Sequence, residues 1–166
     1  MPSATRIALG IAIVTTAHAT APAARAQLAD GLKACSLMTQ QEIIAITKQT
    51  YQFIIPPTAT DDIKGVSECD ILDYSFSLVG SATPQSFAAL QKSQSTAKGV
   101  TVQPLSGVGD EAFYYIRHAG SATVVAVFTR VGTRRLAIQD MVPADSAEHV
   151  KPVLVALAKA AAPKLK

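Results

Sequence analysis

The sequence predicts an α+β fold, in which an antiparallel sheet of about four or five strands is packed by about three helices. Three extended runs near the C-terminal half, at residues 107–118, 123–130 and 133–142, are separated only by short turns. Such spacing is typical of an antiparallel meander. Helical periodicity elsewhere in the chain supplies the helices that would cover this sheet.

Helices are predicted near residues 40–50, 84–98 and 145–162. Thr39 and Glu42 form a capping box before the first, because each side chain can bind a free backbone N–H of the first turn. The second begins with a Thr-Pro pair, and proline suits the first helical position. The third carries apolar residues at helical spacing, namely Val150, Val153, Leu154, Leu157 and Ala161.

Two further segments are predicted to be extended, with a loop before them. Residues 56–67 are polar and contain prolines, so we expect a loop there. Alternation over residues 70–78 predicts one strand, with its even-numbered apolar side chains on the buried face. Residues 100–105 predict an edge strand, where Pro104 is tolerated because an edge N–H need not pair.

The strand at residues 123–130 is apolar on both faces. Val125 and Val127 lie on one face, and Val124, Ala126 and Phe128 lie on the other. A strand of this kind is either covered on both sides or forms part of an interface. An interface would make a homodimer or another protein partner possible.

The N-terminal residues predict export. A short apolar run is followed by two small-residue cleavage motifs, at residues 17–19 and 24–26, and the second leaves a leader of ordinary length. We therefore expect residues 1–26 to be a cleaved signal peptide, 27–34 a flexible start and 35–166 a single α+β domain. No later segment is apolar for long enough to predict a transmembrane anchor. The predicted location is the periplasm or the external medium.

Charge and motif content exclude several classes of function. Removing the leader takes away two arginines, so thirteen basic residues would face twelve acidic ones and the net charge would fall from +3 to +1. That balance gives no reason to expect a nucleic-acid partner. Zinc-ligand spacings and a nucleophile elbow are also missing. The sequence therefore predicts no catalytic residue, no metal and no cofactor.

The two cysteines, Cys35 and Cys69, both fall in the expected mature region. An oxidising export compartment favours a disulfide between them. Lipid attachment at Cys35 is the alternative, but Lys33 stands near it where that signal requires small residues. Lipidation would also leave Cys69 unpaired.

The stretch from Gly107 to His118 is dense in functional groups. We interpret Gly107, Gly109 and Asp110 as a structural turn, because a dinucleotide fingerprint needs a strand before its glycines and a helix after them. Asp110 and Glu111 are adjacent, so they point to opposite faces of a strand and make a poor acid–base pair. An enzyme that uses Asp110 or Glu111 with His118 is nevertheless one alternative for the function.

Arginines gather around the meander together with an aromatic side chain. This combination could bind an anionic or aromatic ligand or a partner, and its members are Tyr115, Arg117, Arg130, Arg134 and Arg135. The alternative is a charged sheet edge that discourages pairing with other strands.

Four features follow one another along the chain: "CSLMTQQE", then "SECDILDY", then "GVGDEAF", and a closing helix rich in Ala, Leu and Val. Their order resembles a family of secreted bacterial proteins and lipoproteins known mainly as domains of unknown function. The resemblance implies a single exported α+β domain with a Cys35–Cys69 bridge and carries over no catalytic residue. The sequence thus predicts an exported, non-catalytic binding or accessory module for an unidentified protein or small molecule, with a structural envelope protein as a further alternative.

Overall fold

A computed structural model describes residues 31–52, 55–63 and 65–166, so the predicted signal peptide lies outside the described residues. Within them, seven strands form one sheet: β1 (Thr58–Ile63), β2 (Val66–Ile71), β3 (Tyr74–Val79), β4 (Val100–Leu105), β5 (Glu111–Ala119), β6 (Ala122–Val131) and β7 (Arg134–Pro143). The strand order is β1-β2-β3-β7-β6-β5-β4, and every neighbouring pair is antiparallel.

The α+β class is confirmed, but the predicted strand number was too low. The segment predicted as a loop, residues 56–67, contains β1 and the beginning of β2. The single strand predicted over residues 70–78 is interrupted by a turn at Leu72 and Asp73, where the chain reverses so that Cys69 lies opposite Phe76. Unbroken alternation concealed this reversal because the turn contains neither glycine nor asparagine.

The three predicted helices are present as α1 (Gln40–Thr47), α2 (Pro84–Ser95) and α3 (Ala147–Ala161). The capping box before α1 forms, since the backbone N–H of Thr39 donates to Glu42 Oε2 at 2.8 Å and the Thr39 hydroxyl accepts from Glu42 N–H. No helix in the described part of the chain is both long and apolar enough to span a bilayer.

Helix α3 covers one face of the sheet and closes the main core. Val125 and Val127 of β6 are fully buried on this face, among side chains such as Leu154 and Leu157 of α3. The first of the two explanations for the two-sided apolar strand is therefore correct: it is covered within the chain. This coverage removes the reason for expecting a homodimer through that face.

Helix α2 covers part of the opposite face, over β4, β5 and β6. Phe87 of α2 contacts Phe113, whose ring stacks on Phe128 at a centroid distance of 4.8 Å. On the same face, β3 and β7 carry Ser75, Ser77 and Gln139, which are partly or fully exposed. The second face is thus apolar and covered on one half, and polar and open on the other.

The N-terminal segment is joined to the sheet by the cysteine pair. Cys35 and Cys69 form a disulfide with a Cα–Cα distance of 5.1 Å. Ala34 is fully buried, and its backbone N–H donates to Ser67 Oγ at 3.0 Å. Packing therefore begins slightly before Cys35, where the sequence predicted the domain to start.

Candidate functional site

Arg130 lies at the centre of a network that we call the Arg130 clasp, formed by Asp110, Glu111, Arg130 and Gly132. Its Nε donates to Glu111 Oε2 at 2.6 Å, and its Nη1 donates to the Gly132 carbonyl at 2.6 Å and lies 3.4 Å from Asp110 Oδ2. Asp110 Oδ2 also accepts the Gly132 N–H at 2.8 Å. The clasp therefore joins the start of β5 to the turn between β6 and β7, and every charge in it has a partner within the chain.

The glycine turn before the clasp approaches β6 closely at one position only. Gly109 has a φ of +62°, and a Cβ placed on it would lie 2.4 Å from Thr129 Oγ1 and 2.6 Å from the Arg130 carbonyl oxygen. Gly107 has a φ of +72°, but a Cβ there would meet nothing within 4 Å. Of these two glycines, only Gly109 combines a left-handed backbone with a lack of space for any side chain.

The predicted arginine surface is not brought together as one patch. Tyr115 is buried edge-on against Phe128, at a centroid distance of 6.0 Å. Arg134 Nη1 donates to the Leu165 and Lys166 carbonyls at 2.8 and 2.9 Å. Tyr115 and Arg134 therefore already have partners within the chain.

The other two arginines of that set lie on different parts of the sheet. Arg117 is exposed near the end of β5, opposite Val100 on β4. Arg135 lies near the start of β7, opposite Val79 on β3, and burial lowers the pKa of its guanidinium. Arg117 lies opposite Val124 of β6 and Arg135 lies opposite Arg130 of the same strand. These positions are about 20 Å apart at about 3.3 Å per residue, so a single small ligand would not contact both arginines.

The three residues of the enzyme alternative are not brought together either. Asp110 and Glu111 belong to the Arg130 clasp, at the start of β5. His118 lies near the other end of that strand, about 23 Å from Glu111 at about 3.3 Å per residue. Its Nδ1 is 2.9 Å from Thr123 Oγ1. The geometry does not support acid–base chemistry shared between them.

A cleft opens where β3 begins beside β7. The last pair between these strands is Ser75 with Gln139, whereas β7 continues to Pro143. Residues 140–143 therefore have a strand neighbour, β6, on one side only. We call this gap the β3–β7 notch; its volume is about 440 Å³, and its lining residues are Asp73, Ser75, Val124, Gln139, Asp140, Met141 and Val142.

Two carboxylates lie in the β3–β7 notch without a basic partner among the described residues. Burial raises the pKa of the Asp140 carboxyl, and the negative charge of Asp73 raises it further, while the backbone N–H of Met141 donates to it and opposes the shift. An unpaired carboxylate in a half-buried position is costly, because the protein replaces only part of its hydration. The notch is thus the site of an uncompensated negative charge.

Two tyrosines lie near these carboxylates and add no positive charge. Burial raises the pKa of Tyr74 to about 12, with Asp140 and Asp73 contributing, and burial likewise raises the pKa of Tyr51. Both phenols donate to the side-chain carbonyl of Gln49. They remain neutral at physiological pH, so they do not offset the carboxylates.

The backbone that presents Asp73 is itself unusual. Leu72, the first residue of the turn between β2 and β3, has a φ of +57°. A leucine in the left-handed region costs about 1–2 kcal/mol, and such positions are often found at functional sites. The turn places Asp73 at the mouth of the β3–β7 notch.

Sequence reasoning missed this site, although one signal pointed to it. The residues of β7 that face the core alternate as Leu136, Ile138, Asp140 and Val142. A carboxylate in the third of these positions breaks an otherwise apolar series. That break was readable from the sequence, whereas the proximity of Asp73 depends on the pairing of β3 with β7.

Comparison with known proteins adds little. No family model matches the chain, and no curated protein matches it. The chain is similar to a solved structure described as a GTP-binding regulator from Thermotoga maritima, with 6% identity over 79% of this chain and 93% of that chain, and a TM-score of 0.36. At this TM-score the likeness supports no conclusion about the fold or the function.

Proposed function

We propose that the protein is an exported, non-catalytic binding or accessory module, and that the β3–β7 notch is its binding site. One observation carries the proposal: Asp140 lines a cleft of about 440 Å³, and its half-buried carboxyl has no basic partner among the described residues. Ligand sites are typically concave and combine apolar walls with a few polar groups. The notch has this composition, and the predicted arginine surface does not.

The lining of the notch favours binding over catalysis. Its described residues include no histidine, cysteine or lysine. The hydroxyl of Ser75 donates to the carboxylate of Asp70, and the lining contains no histidine or lysine that would activate the hydroxyl as a nucleophile. The lining of the notch supplies two carboxylates together with apolar and neutral polar side chains.

Export is supported by the N-terminal pattern and by the cysteine pair. A disulfide persists in oxidising compartments such as the periplasm and the external medium. In the chain-entropy model, closing a loop of this length stabilises the folded state by about 3–4 kcal/mol. A periplasmic or secreted location would maintain that stabilisation.

Native mass spectrometry on protein recovered from the exported fraction of its source cells, without reductant, tests the proposal. We expect a chain that begins at Gln27, lighter than its reduced mass by two hydrogen atoms, and a reproducible adduct or partner. The Asp140→Asn variant, recovered in the same way, should lose that adduct. A chain that retains residues 1–26 would contradict export, and a bare chain under gentle conditions would favour a structural envelope role.

A further inference from the structure

Met141 is an apolar residue on the open part of the sheet, and the packing of the protein does not explain it. Its side chain has an exposed fraction of 70%, and it belongs to neither hydrophobic cluster of the described residues. We propose that Met141 is a modification site, at which a peroxide converts the thioether to a sulfoxide while the protein stays folded. This inference goes beyond the proposed function and does not depend on it.

The pairing of the strands explains why this side chain is accessible. Met141 lies opposite Val124 of β6, and successive side chains of a strand point to opposite faces. The next residue, Val142, is buried in the main core, so Met141 points away from that core. Strand β3 pairs with β7 only as far as Gln139. Met141 therefore has a strand neighbour on one side only.

Met141 carries the accessible sulfur of the predicted mature chain. Cys35 and Cys69 are the two cysteines of the chain, and they are joined in the disulfide, so no free thiol competes for an oxidant. Of the three methionines, Met1 lies in the predicted leader, and Met38 is only 2% exposed within the main core. Because oxidation depends on access to the sulfur, Met141 should react first.

Hydrogen peroxide is the oxidant in the proposed step. A lone pair of the Met141 sulfur attacks one peroxide oxygen, so that an S–O bond forms while the O–O bond breaks. The proton of the attacked oxygen passes to the departing hydroxide, which leaves as water. The sulfur loses two electrons and the peroxide gains them. The product is a polar side chain in place of a flexible apolar one.

Oxidation of the two methionines should have different consequences for the fold. A sulfoxide at Met38 would bury a polar oxygen among apolar side chains, which is costly without a hydrogen-bond donor. At Met141 the same oxygen would face water, and neither hydrophobic cluster would lose a packed side chain. Modification of the folded chain should therefore stop after one oxygen atom and make the lining of the notch more polar at that position.

The experiment treats the purified protein, with its disulfide intact, with hydrogen peroxide and follows the masses of the intact chain and its peptides. We expect one added oxygen atom at Met141. Met38 should react at least about tenfold more slowly, because a buried sulfur is reached only through local opening. In concentrated urea the two methionines should react at similar rates. The melting temperature of the singly oxidised protein should equal that of the untreated protein.

Two variants assign the reaction to one sulfur. Met141→Leu keeps an apolar side chain of similar size, and it should take up no oxygen while the protein is folded. Met38→Leu is the matched control, and it should gain one oxygen atom at the rate of the unmodified sequence. Protein recovered from the exported fraction of peroxide-treated source cells should carry the sulfoxide at Met141, and protein from untreated cells should carry less.

Four outcomes would overturn the inference. They are equal oxidation of Met38 and Met141 in the folded protein, no oxygen at Met141, a lower melting temperature when Met141 alone is oxidised, and no sulfoxide at Met141 in protein from peroxide-treated cells. The comparison of Met38 with Met141 within one chain keeps the test valid even if a variant folds poorly.

Discussion

The Arg130 clasp and the β3–β7 notch each contain two carboxylates, but only those of the clasp are paired with a basic side chain of the described chain. In the clasp, Asp110 and Glu111 surround an arginine whose side chain is only 10% exposed. In the notch, Asp73 and Asp140 line a cleft and have no basic partner among the described residues. The charges of the clasp are balanced by contacts within the chain, whereas those of the notch have no basic partner among the described residues.

This difference shows that the density of functional groups in a sequence is a poor guide to a site. The stretch from Gly107 to His118 concentrates carboxylates, aromatics, an arginine and a histidine, but the structure uses much of it to hold a turn and fill a core. The notch draws its charges from the turn before β3 and from β7, which are far apart in the sequence. What distinguishes the notch is that its two carboxylates have no basic partner among the described residues.

The largest expected effect tests whether the turn before the clasp is structural. Gly109→Ala should lower the free energy of unfolding by about 3 kcal/mol, because it combines a left-handed backbone with overpacking against Thr129 and Arg130. Gly107→Ala is the matched control; it has the same backbone penalty but open space, so it should cost about 1 kcal/mol. Urea denaturation of both variants measures the difference, and equal losses would mean that the close approach at Gly109 has no effect.

The second prediction tests the clasp itself. Arg130→Met keeps an apolar side chain in place but removes the charge that Asp110 and Glu111 share. We expect a loss of about 2 kcal/mol, less than for a fully buried pair because both carboxylates retain access to water. Arg117→Met, at an exposed position, should change stability by less than about 0.5 kcal/mol.

Thermal unfolding of the two arginine variants checks this expectation. If they behaved alike, the clasp would contribute nothing beyond an ordinary surface charge, and its contrast with the notch would disappear.

The smallest expected effect concerns pH and compares a paired with an unpaired carboxylate. The pKa of Asp140 is raised in the folded state, so ionisation of this carboxyl destabilises the fold. This loss of stability is absent below the unfolded pKa. It grows as the pH rises and is complete above the folded pKa. Hydrogen bonding to Lys164, then to the Thr39 backbone, lowers the pKa of Glu42. Its contribution is therefore present above the unfolded pKa and is lost as pH falls through the folded pKa.

Asp140→Asn should consequently stabilise the protein at pH 7, and Glu42→Gln should destabilise it, each by less than about 1 kcal/mol. Both differences should shrink as the pH is lowered, because each carboxyl becomes protonated in both states; the difference for Glu42 disappears only below its lowered folded pKa. Melting temperatures at pH 7 and at acid pH measure these changes. A stabilising Glu42→Gln or a destabilising Asp140→Asn at pH 7 would contradict the contrast between the two carboxylates.

The sequence predicted the strands and helices that have strong patterns, and missed those that do not. The meander and all three helices carry regular apolar periodicity, so they were identified with small errors at the ends. Strand β1 begins with Thr58 and Ala59 at a sheet edge, and an edge strand needs little apolar alternation. The turn at Leu72 was hidden because leucine seldom adopts a positive φ.

The site could be predicted only in part. The aspartate at position 140 interrupts an apolar series on β7, and that local signal was available. The position of Asp73 beside it depends on β3 pairing with β7, and nothing local in the sequence specifies that pairing. The arginines were visible as a group, but their engagement with Glu111 and with the C-terminal carbonyls is a matter of tertiary contact.

The strand order has a consequence for the sequence of events in folding. Strands β1, β2 and β3 join the rest of the sheet only through β7, although β4, β5 and β6 precede β7 along the chain. During synthesis, which starts at the N-terminus, the edge of β3 has no partner until residues 134–143 have been made. Pairings between strands so far apart in the sequence are slow to form. The notch does not exist before that moment. If the notch binds a ligand as proposed, that ligand would recognise only chains in which β7 has paired with β3, and its binding would report that this pairing is complete.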